Sequence, residues 1–174
     1  MIRPAREADA GAIAAIYARE VIEGTATFDL DPPDAQAMAA RMAASGGRLP
    51  WLVWDEGDDG SGAVLGYAYA SAYRPRAAYR FTVETTVYVA AGAQRRGIGR
   101  ALYQALLASL SARGFAQALA VISLPNAGSA ALHEALGFRR VALLERVGVK
   151  FGRWLDVGYW QRALADAAEP EGPS

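Results

Sequence analysis

The sequence contains no cysteine and only one histidine, and these absences remove several kinds of chemistry. Without a thiol the chain has no disulfide, no thiolate metal ligand and no cysteine nucleophile. With His133 as the single imidazole, a metal site built from several histidines is excluded as well. We therefore expect a protein that works without a metal.

An excess of charge of one sign is also missing. The 18 lysines and arginines equal the 18 aspartates and glutamates, whereas a general nucleic-acid binder usually carries a strong basic excess. No stretch approaches the roughly 18 apolar residues of a membrane span, and the acidic N-terminal segment around Glu7 and Asp9 does not resemble a signal peptide. We expect a cytoplasmic protein with neither a nucleic-acid nor a membrane partner, although a local basic patch remains possible.

The length of 174 residues suits a single domain with a substantial core. Hydrophobic periods of about 3.6 and of 2 residues alternate along the chain and indicate helices and strands respectively. The predicted order is one strand, two helices, three strands, a helix, a strand, a helix and two strands. This order predicts an α/β domain with a mixed sheet over residues 1–165, followed by a disordered tail over residues 166–174.

A turn rich in arginine and glycine, Gln94–Arg100, separates a predicted strand from a predicted helix. The first N–H groups of a helix lack intrahelical partners and carry partial positive charge, while glycine permits close approach and arginine adds forked donors. The turn therefore indicates a phosphate or pyrophosphate site. Its spacing fits neither GxGxxG nor the GxxxxGK of a P-loop. A glycine-relieved turn with solvated arginines is the simpler alternative.

The segment QRRGIG at 94–99, preceded by VYV at 87–89, resembles the pyrophosphate-binding motif of the GNAT acetyltransferase superfamily. Asn126 and LHEALGF at 132–138 resemble a second motif of that family. Within it, TVETTVYV, LHEALGF and GRWLDVGYWQ are similar to phosphinothricin and methionine sulfoximine N-acetyltransferases. The resemblance implies the GNAT fold, which is a mixed, mostly antiparallel sheet with a splayed central strand pair and helices on both faces.

The same resemblance implies acetyl-CoA as the co-substrate and indicates which residues hold it. The strand at 87–89 would align the pantetheine arm, the loop amides would bind the diphosphate, and Asn126 would bind the arm. The residues expected to contact the coenzyme are Val87, Tyr88, Val89, Gln94, Arg95, Arg96, Gly97, Ile98, Gly99, Arg100 and Asn126.

Glu84 shares one face of the predicted strand TVETTVYV with Thr86 and Tyr88, because side chains alternate along a strand. A carboxylate on a central strand is costly unless it is paired or solvated. An amine must lose its proton before it attacks a thioester, so a base is needed nearby. The residues alone leave a solvated glutamate and a general base equally open. The resemblance implies the base, with binding of the substrate ammonium as an alternative role.

His133 follows Asn126 by seven residues, about two helical turns, so both face the same side of a short helix that Asn126 can cap. A lone histidine is more often a packed or surface residue than a catalytic one. Many GNAT enzymes have a tyrosine here that protonates the departing thiolate, and the phosphinothricin-type enzymes have histidine. The resemblance makes His133 a catalytic candidate whose role as acid, base or coenzyme contact stays open.

A basic loop, AYRPRAAYRF at 72–81, precedes the strand that carries Glu84. It is either a solvated surface loop or a site for a carboxylate or phosphinate. Similar enzymes bind the acid groups of their substrate with this loop, and Lys150 with Phe151 could complete the site, across a dimer interface if the chain dimerises. The residues expected to bind the acceptor are Phe28, Arg74, Arg76, Tyr79, Tyr88 and Lys150.

We therefore expect an enzyme that transfers acetyl from acetyl-CoA to the α-amino group of a small amino acid or analogue. Phosphinothricin, methionine sulfoximine and methionine sulfone are candidate acceptors, which would connect the enzyme with detoxification and antibiotic resistance. One alternative is a GNAT enzyme that acetylates a peptide or protein amine. Another is a non-catalytic module that senses acetyl-CoA. A homodimer is expected from the resemblance alone.

Overall fold

The computed structural model describes residues 1–57 and 59–164, and the order of its helices and strands agrees with the order predicted from the sequence. The predicted tail at 166–174 lies outside the described residues. The strands are β1 (Ile2–Pro4), β2 (Trp51–Asp55), β3 (Val64–Ala72), β4 (Thr82–Val89), β5 (Gln117–Leu124), β6 (Arg139–Lys150) and β7 (Arg153–Ala163). The α-helices are α1 (Ala10–Ile22), α2 (Ala35–Ala44), α3 (Ile98–Ala112) and α4 (Ala127–Ala135).

The strands form one sheet in the order β1-β2-β3-β4-β5-β7-β6. Neighbouring strands are antiparallel except for β4 and β5, which are parallel and pair only over Thr82–Glu84 against Gln117–Leu119. Each of these two strands is eight residues long, so their remaining residues diverge and leave a gap in the middle of the sheet. The predicted mixed, mostly antiparallel sheet with a splayed central pair is confirmed.

Both faces of the sheet carry a hydrophobic core. The alternation of side chains along β3 shows this, since Ala68 and Ala70 belong to one core and Tyr67 to the other. The first core is built on α3, whose Leu102, Leu106 and Leu110 are fully buried. The second core is built on α1 and α2, with Ile13, Tyr17, Val21 and Met38. Helices therefore lie on both faces, as predicted.

Short polar side chains and glycine define where the helices near the site begin. Asp34 caps α2 by accepting a 2.8 Å hydrogen bond from the Ala37 N–H. Asn126 caps α4 by accepting a 3.0 Å bond from the Ser129 N–H. Gly97 precedes α3 with a φ of +81°, a left-handed conformation that favours glycine. None of the helices in the described residues is long and apolar enough to cross a membrane.

Candidate active site

The gap between β4 and β5 is the centre of the candidate site. Because the ladder between these strands stops at Glu84 and Leu119, the β4 backbone beyond Glu84 is not used by β5 and can pair with a ligand. The N-cap residue of α4 and two polar side chains of that helix also line the gap. The lining consists of Ala26, residues 85–88 of β4, residues 120–123 of β5, and Asn126, Ser129 and His133.

A larger cleft of about 510 Å³ leads from this gap to the start of α3. The two cavities share Val87, Tyr88 and Asn126 in their linings. Nine of the eleven residues predicted to contact the coenzyme line this cleft. They are Val87, Tyr88, Val89, Gln94, Arg95, Gly97, Gly99, Arg100 and Asn126.

The side chains of the other two predicted coenzyme residues lie elsewhere. The Arg96 guanidinium is 3.8 Å from the Glu56 carboxylate on the protein surface. The Ile98 side chain is buried in the α3 core. The buried Ile98 can contact a ligand in the cleft only through its backbone, whereas coenzyme binding by the exposed Arg96 stays a prediction. The motif in the sequence could not separate side-chain contacts from backbone contacts.

The start of α3 has the features of an anion site. The Ala101 N–H is the first of the helix to find an intrahelical partner, the Gly97 carbonyl at 3.0 Å, so the preceding N–H groups have none. No side chain of the described residues caps this helix. Gly97 and Arg95 both have positive φ, +81° and +60°, and together they shape the loop before the helix. Unpaired N–H groups with a partial positive charge favour a bound phosphate.

Glu84 lies at the last position where β4 still pairs with β5. It is half-buried and is opposite Ser71 on β3 and Leu119 on β5. Burial raises the pKa of the Glu84 carboxyl above its ordinary value, and the positive charge of Arg74 opposes part of that rise. A raised pKa brings the carboxylate closer to the range in which it exchanges protons efficiently with an amine at neutral pH.

Both ring nitrogens of His133 already have partners, and the side chain is only 4 % exposed. Nδ1 lies 2.7 Å from the Ser129 carbonyl oxygen, which only accepts, so Nδ1 carries the proton. Nε2 lies 2.9 Å from the Tyr103 hydroxyl and accepts a hydrogen bond from it. Burial lowers the pKa of His133, which agrees with a neutral imidazole.

Tyr103 connects His133 to the diverging strands. Its hydroxyl is 2.5 Å from the Thr85 Oγ1, which in turn is 3.1 Å from the Leu119 carbonyl oxygen. Sequence reasoning missed both Tyr103 and Thr85. Signals for them existed, because Thr85 interrupts the valine face of β4 and Tyr103 places a hydroxyl among the apolar positions of α3. The result is a buried line of polar groups that joins α4, α3, β4 and β5.

Ser123 adds an unsatisfied group to the gap. Its hydroxyl is buried and has no hydrogen-bond partner within the described residues, and the residue lines the gap beside Asn126. A buried polar group without a partner costs about 1–3 kcal/mol. A ligand that occupied the gap and bonded this hydroxyl would remove that cost.

The basic loop contributes to a cavity of about 160 Å³ that has three arginines in its lining. Arg74, Tyr79 and Arg80 come from the loop, and Arg48 joins them. Among the described residues, none of these arginines forms a salt bridge with a carboxylate. Arg76 is exposed and does not line this cavity. Arg48, which comes from the turn after α2, could not be assigned from the local pattern.

Phe28 and Lys150 hold the loop between α1 and α2 against β6. The Phe28 ring packs on the backbone of Gly148 so closely that a side chain at position 148 would collide with it. The buried Lys150 ammonium donates to the backbone carbonyls of Glu20, at 3.2 Å, and Thr27, at 2.9 Å. These contacts leave acceptor binding by either side chain as a prediction. Tyr88, in contrast, lines both the gap and the cleft.

Comparison with known proteins identifies the family to which this arrangement belongs. The model of the acetyltransferase (GNAT) domain matches residues 2–158. The chain belongs to the GNAT acetyltransferase family. It is therefore an acyltransferase. Its fold is the GNAT fold, as the resemblance implied.

Three GNAT proteins show how close the relationship is. The phosphinothricin N-acetyltransferase of Alcaligenes faecalis is 44 % identical over 174 residues, which cover 98 % of this chain and 86 % of the relative. The L-methionine sulfoximine/L-methionine sulfone acetyltransferase of Pseudomonas paraeruginosa is 40 % identical over 166 residues, 94 % of each chain. The solved structure of a phosphinothricin acetyltransferase from Sinorhizobium meliloti in complex with AcCoA is 41 % identical, with a TM-score of 0.90, and the match covers 99 % of this chain and 95 % of that one. The predicted resemblance to this group is confirmed.

Proposed function

We propose that this GNAT enzyme transfers the acetyl group of acetyl-CoA to the α-amino group of a small amino acid or amino-acid analogue. The observation that carries the proposal is the gap between β4 and β5, which opens into the 510 Å³ cleft and has Glu84 at the point where the strands separate. Relatives with 40–44 % identity are named for phosphinothricin and for methionine sulfoximine and sulfone. These compounds are the proposed class of acceptor.

The coenzyme would lie along β4 with its diphosphate at the start of α3. The backbone N–H groups from Gly97 to Arg100 supply donors for the diphosphate, and Arg95 and Arg100 supply positive charge at the cleft. The Asn126 Oδ1 is engaged in the helix cap, so its amide N–H₂ can donate to the pantetheine arm. We assign the Ser123 hydroxyl to the same arm, because it lines the gap beside Asn126 and has no partner in the described residues.

The reaction would proceed by direct attack within the gap. The amine loses a proton to Glu84, directly or through water, and its lone pair forms the new C–N bond with the thioester carbon. A backbone N–H near Val89 stabilises the oxyanion of the tetrahedral intermediate. The C–S bond then breaks, and the nitrogen of the intermediate gives up its extra proton as the departing thiolate takes one up, which leaves the amide and the free thiol of CoA. The arginine cavity beside Glu84 would bind the carboxylate of the acceptor. No metal is needed for any of these steps.

The position of His133 favours an indirect role in this reaction. As an acid it would have to exchange its bond with Tyr103 for a bond with the leaving thiolate, because both ring nitrogens are engaged. We propose instead that His133 and Tyr103 fix Thr85, and with it the β4 backbone that faces the gap. His133 is then a positioning residue for the thioester.

We also propose that the enzyme is a homodimer that pairs through β6. This strand forms one edge of the sheet and exposes several apolar side chains, which favours burial against another chain. The exposed fractions are 40 % for Val141, 42 % for Leu143, 42 % for Leu144, 50 % for Val147 and 53 % for Val149. Light scattering should show a dimer, and Leu143→Lys with Val147→Lys should give a monomer.

A cytoplasmic location and a part in antibiotic resistance remain predictions.

An acceptor screen tests the proposed function. The full chain is incubated with acetyl-CoA and one candidate amine at a time, and thiol release is followed. Free amino acids or their analogues should give turnover, while peptides with a free N-terminus should give little. Turnover with peptides alone would favour a peptide acetyltransferase. Coenzyme binding without turnover of any amine would favour a sensing module.

A further inference from the structure

Lys150 is the only lysine of the chain, since every other basic residue except His133 is an arginine. It lies at the end of β6 and is only 3 % exposed, although lysine is almost never fully buried unless it is paired. Burial lowers the pKa of its ammonium below the ordinary value, and the carboxylates of Glu20 and Asp29 oppose part of that change. A buried charge is costly, and hydrogen bonds must offset that cost.

The partners of this ammonium are backbone carbonyls. Nζ donates to the Glu20 carbonyl at 3.2 Å and to the Thr27 carbonyl at 2.9 Å, and it forms no salt bridge among the residues that the structure describes. The Glu20 carbonyl belongs to the last turn of α1, where the partial negative charge of the helix end favours a cation. Lys150 therefore caps the end of α1 and also holds the loop that follows it.

The two carbonyls lie on either side of a residue that forms part of the candidate site. Ala26 lines both the gap and the larger cleft, and Glu20 lines the cleft as well. The Tyr88 hydroxyl donates to the Ala26 carbonyl in a long 3.4 Å bond, so this residue is also connected to the strand that would align the pantetheine arm. The Lys150 ammonium thus fixes one wall of the proposed coenzyme site.

An ammonium suits this position better than a guanidinium. It is a compact point charge with three donors, so it can bond carbonyls from two segments at once. The planar fork of arginine instead matches the two oxygens of one carboxylate. The single lysine therefore lies where two carbonyls from different parts of the chain are joined.

Other contacts hold the same loop on the side of the helices. The Tyr17 hydroxyl of α1 is 2.6 Å from the Thr27 Oγ1 and donates to the Asp29 carboxylate at 2.8 Å. The Arg41 guanidinium of α2 is 3.0 Å from the same carboxylate. These bonds do not involve Lys150, so loss of its ammonium would shift the loop relative to β6 without detaching it from α1 and α2.

We propose that Lys150 is a positioning residue for acetyl-CoA, which holds the loop after α1 where it completes the coenzyme cleft, in place of the predicted contact with the acceptor. The inference rests on the proposed function and adds a residue to its coenzyme site. The arginine cavity, which would bind the acceptor carboxylate, is lined by other segments of the chain. Removal of the ammonium should therefore weaken coenzyme binding and leave recognition of that carboxylate intact.

Calorimetric titration of the full chain with acetyl-CoA tests the inference without an acceptor. Lys150→Met keeps most of the length of the side chain and removes the ammonium. If the loop then occupies its present position about a tenth of the time, the Kd for acetyl-CoA rises about tenfold. Arg139→Met is the matched control, because it removes an exposed cation from the same strand, and it should leave the Kd within about twofold.

Three outcomes would contradict the inference or its basis. A folded Lys150→Met protein with the wild-type Kd would overturn it, because a purely structural lysine lowers Tm and leaves the affinity of the folded protein unchanged. A higher KM for methionine sulfone with an unchanged Kd for acetyl-CoA would show that Lys150 binds the acceptor directly, which also overturns it. A wild type that does not bind acetyl-CoA would remove the proposed function and this inference together.

The single lysine allows a second measurement on the wild type, which does not depend on the folding of a variant. When lysine carries an isotope label at Nζ, the NMR spectrum of the protein has one lysine ammonium signal. We expect its protons to exchange with water about tenfold or more slowly than those of free lysine at neutral pH, because the group is buried and hydrogen-bonded. Acetyl-CoA should slow the exchange further, since a ligand stabilises the state that binds it. Exchange that acetyl-CoA leaves unchanged would overturn the inference.

Discussion

Replacing Ser123 by alanine should change stability and coenzyme binding in opposite directions. In the free enzyme its buried hydroxyl has no partner within the described residues, so its removal relieves part of a cost of about 1–3 kcal/mol. A gain of about 1 kcal/mol raises Tm by about 2–4 °C in a chain of this length. If the hydroxyl bonds the pantetheine arm, the variant loses one hydrogen bond, worth about 0.5–1.5 kcal/mol, and the KM for acetyl-CoA rises by up to about tenfold.

The assay combines thermal unfolding of the free protein with initial rates at varied acetyl-CoA. Ser111→Ala serves as the control, because Ser111 lines a separate cavity beside α3 and should leave the coenzyme KM unchanged. A lower Tm in Ser123→Ala would show that the hydroxyl is satisfied in the free enzyme. An unchanged coenzyme KM would refute its assignment to the pantetheine arm.

Two further predictions concern the helices that flank the cleft. Burial lowers the pKa of His133 below its ordinary 6.5. At a pH between this lowered pKa and about 6.5, the imidazole is protonated in the unfolded chain but neutral in the folded one. The free energy of unfolding therefore falls as the pH is lowered through this window. Urea unfolding at pH 5.5 and 7.5 should show this loss of stability in the wild type, and His133→Asn should show a smaller loss. Equal losses of stability in both proteins would contradict the buried neutral imidazole. Gly97→Ala forces an alanine to adopt a φ of +81°. The variant should lose about 1–2 kcal/mol of the free energy of unfolding in urea and have a higher KM for acetyl-CoA. An unchanged free energy of unfolding and an unchanged KM would show that the loop does not need this conformation.

The order of the elements was predictable because it follows from local patterns. The hydrophobic period indicates helices and strands, and glycines such as those around Gly97 indicate turns, each from a few neighbouring residues. The anion-binding turn was predictable for the same reason, since its donors belong to consecutive residues. The splay of β4 and β5 came from the family resemblance, because no local pattern states where two distant strands stop pairing.

The contacts that join distant segments could not be predicted. The Lys150 ammonium bonds carbonyls of residues 20 and 27, more than a hundred positions away, and no spacing reveals such partners. The link from His133 through Tyr103 to Thr85 depends on how α3 and α4 pack on the sheet. A cavity of about 380 Å³ between α2 and the sheet has lining residues from α1, α2, β2 and β3, and it has no motif of its own. These parts depend on tertiary packing, which alternation and spacing do not encode.

The pH dependence of kcat/KM in the wild type and in Glu84→Gln tests the central claim most directly. Burial raises the pKa of Glu84 above its ordinary 4.5, so the wild type should lose activity with falling pH at a pKa above 4.5 as the base becomes protonated. Glu84→Gln should lower kcat with methionine sulfone by about 10²- to 10⁴-fold and lose that limb, with the KM for acetyl-CoA within about twofold. A Glu84→Gln enzyme that kept most of its turnover and the same acid limb would contradict the account.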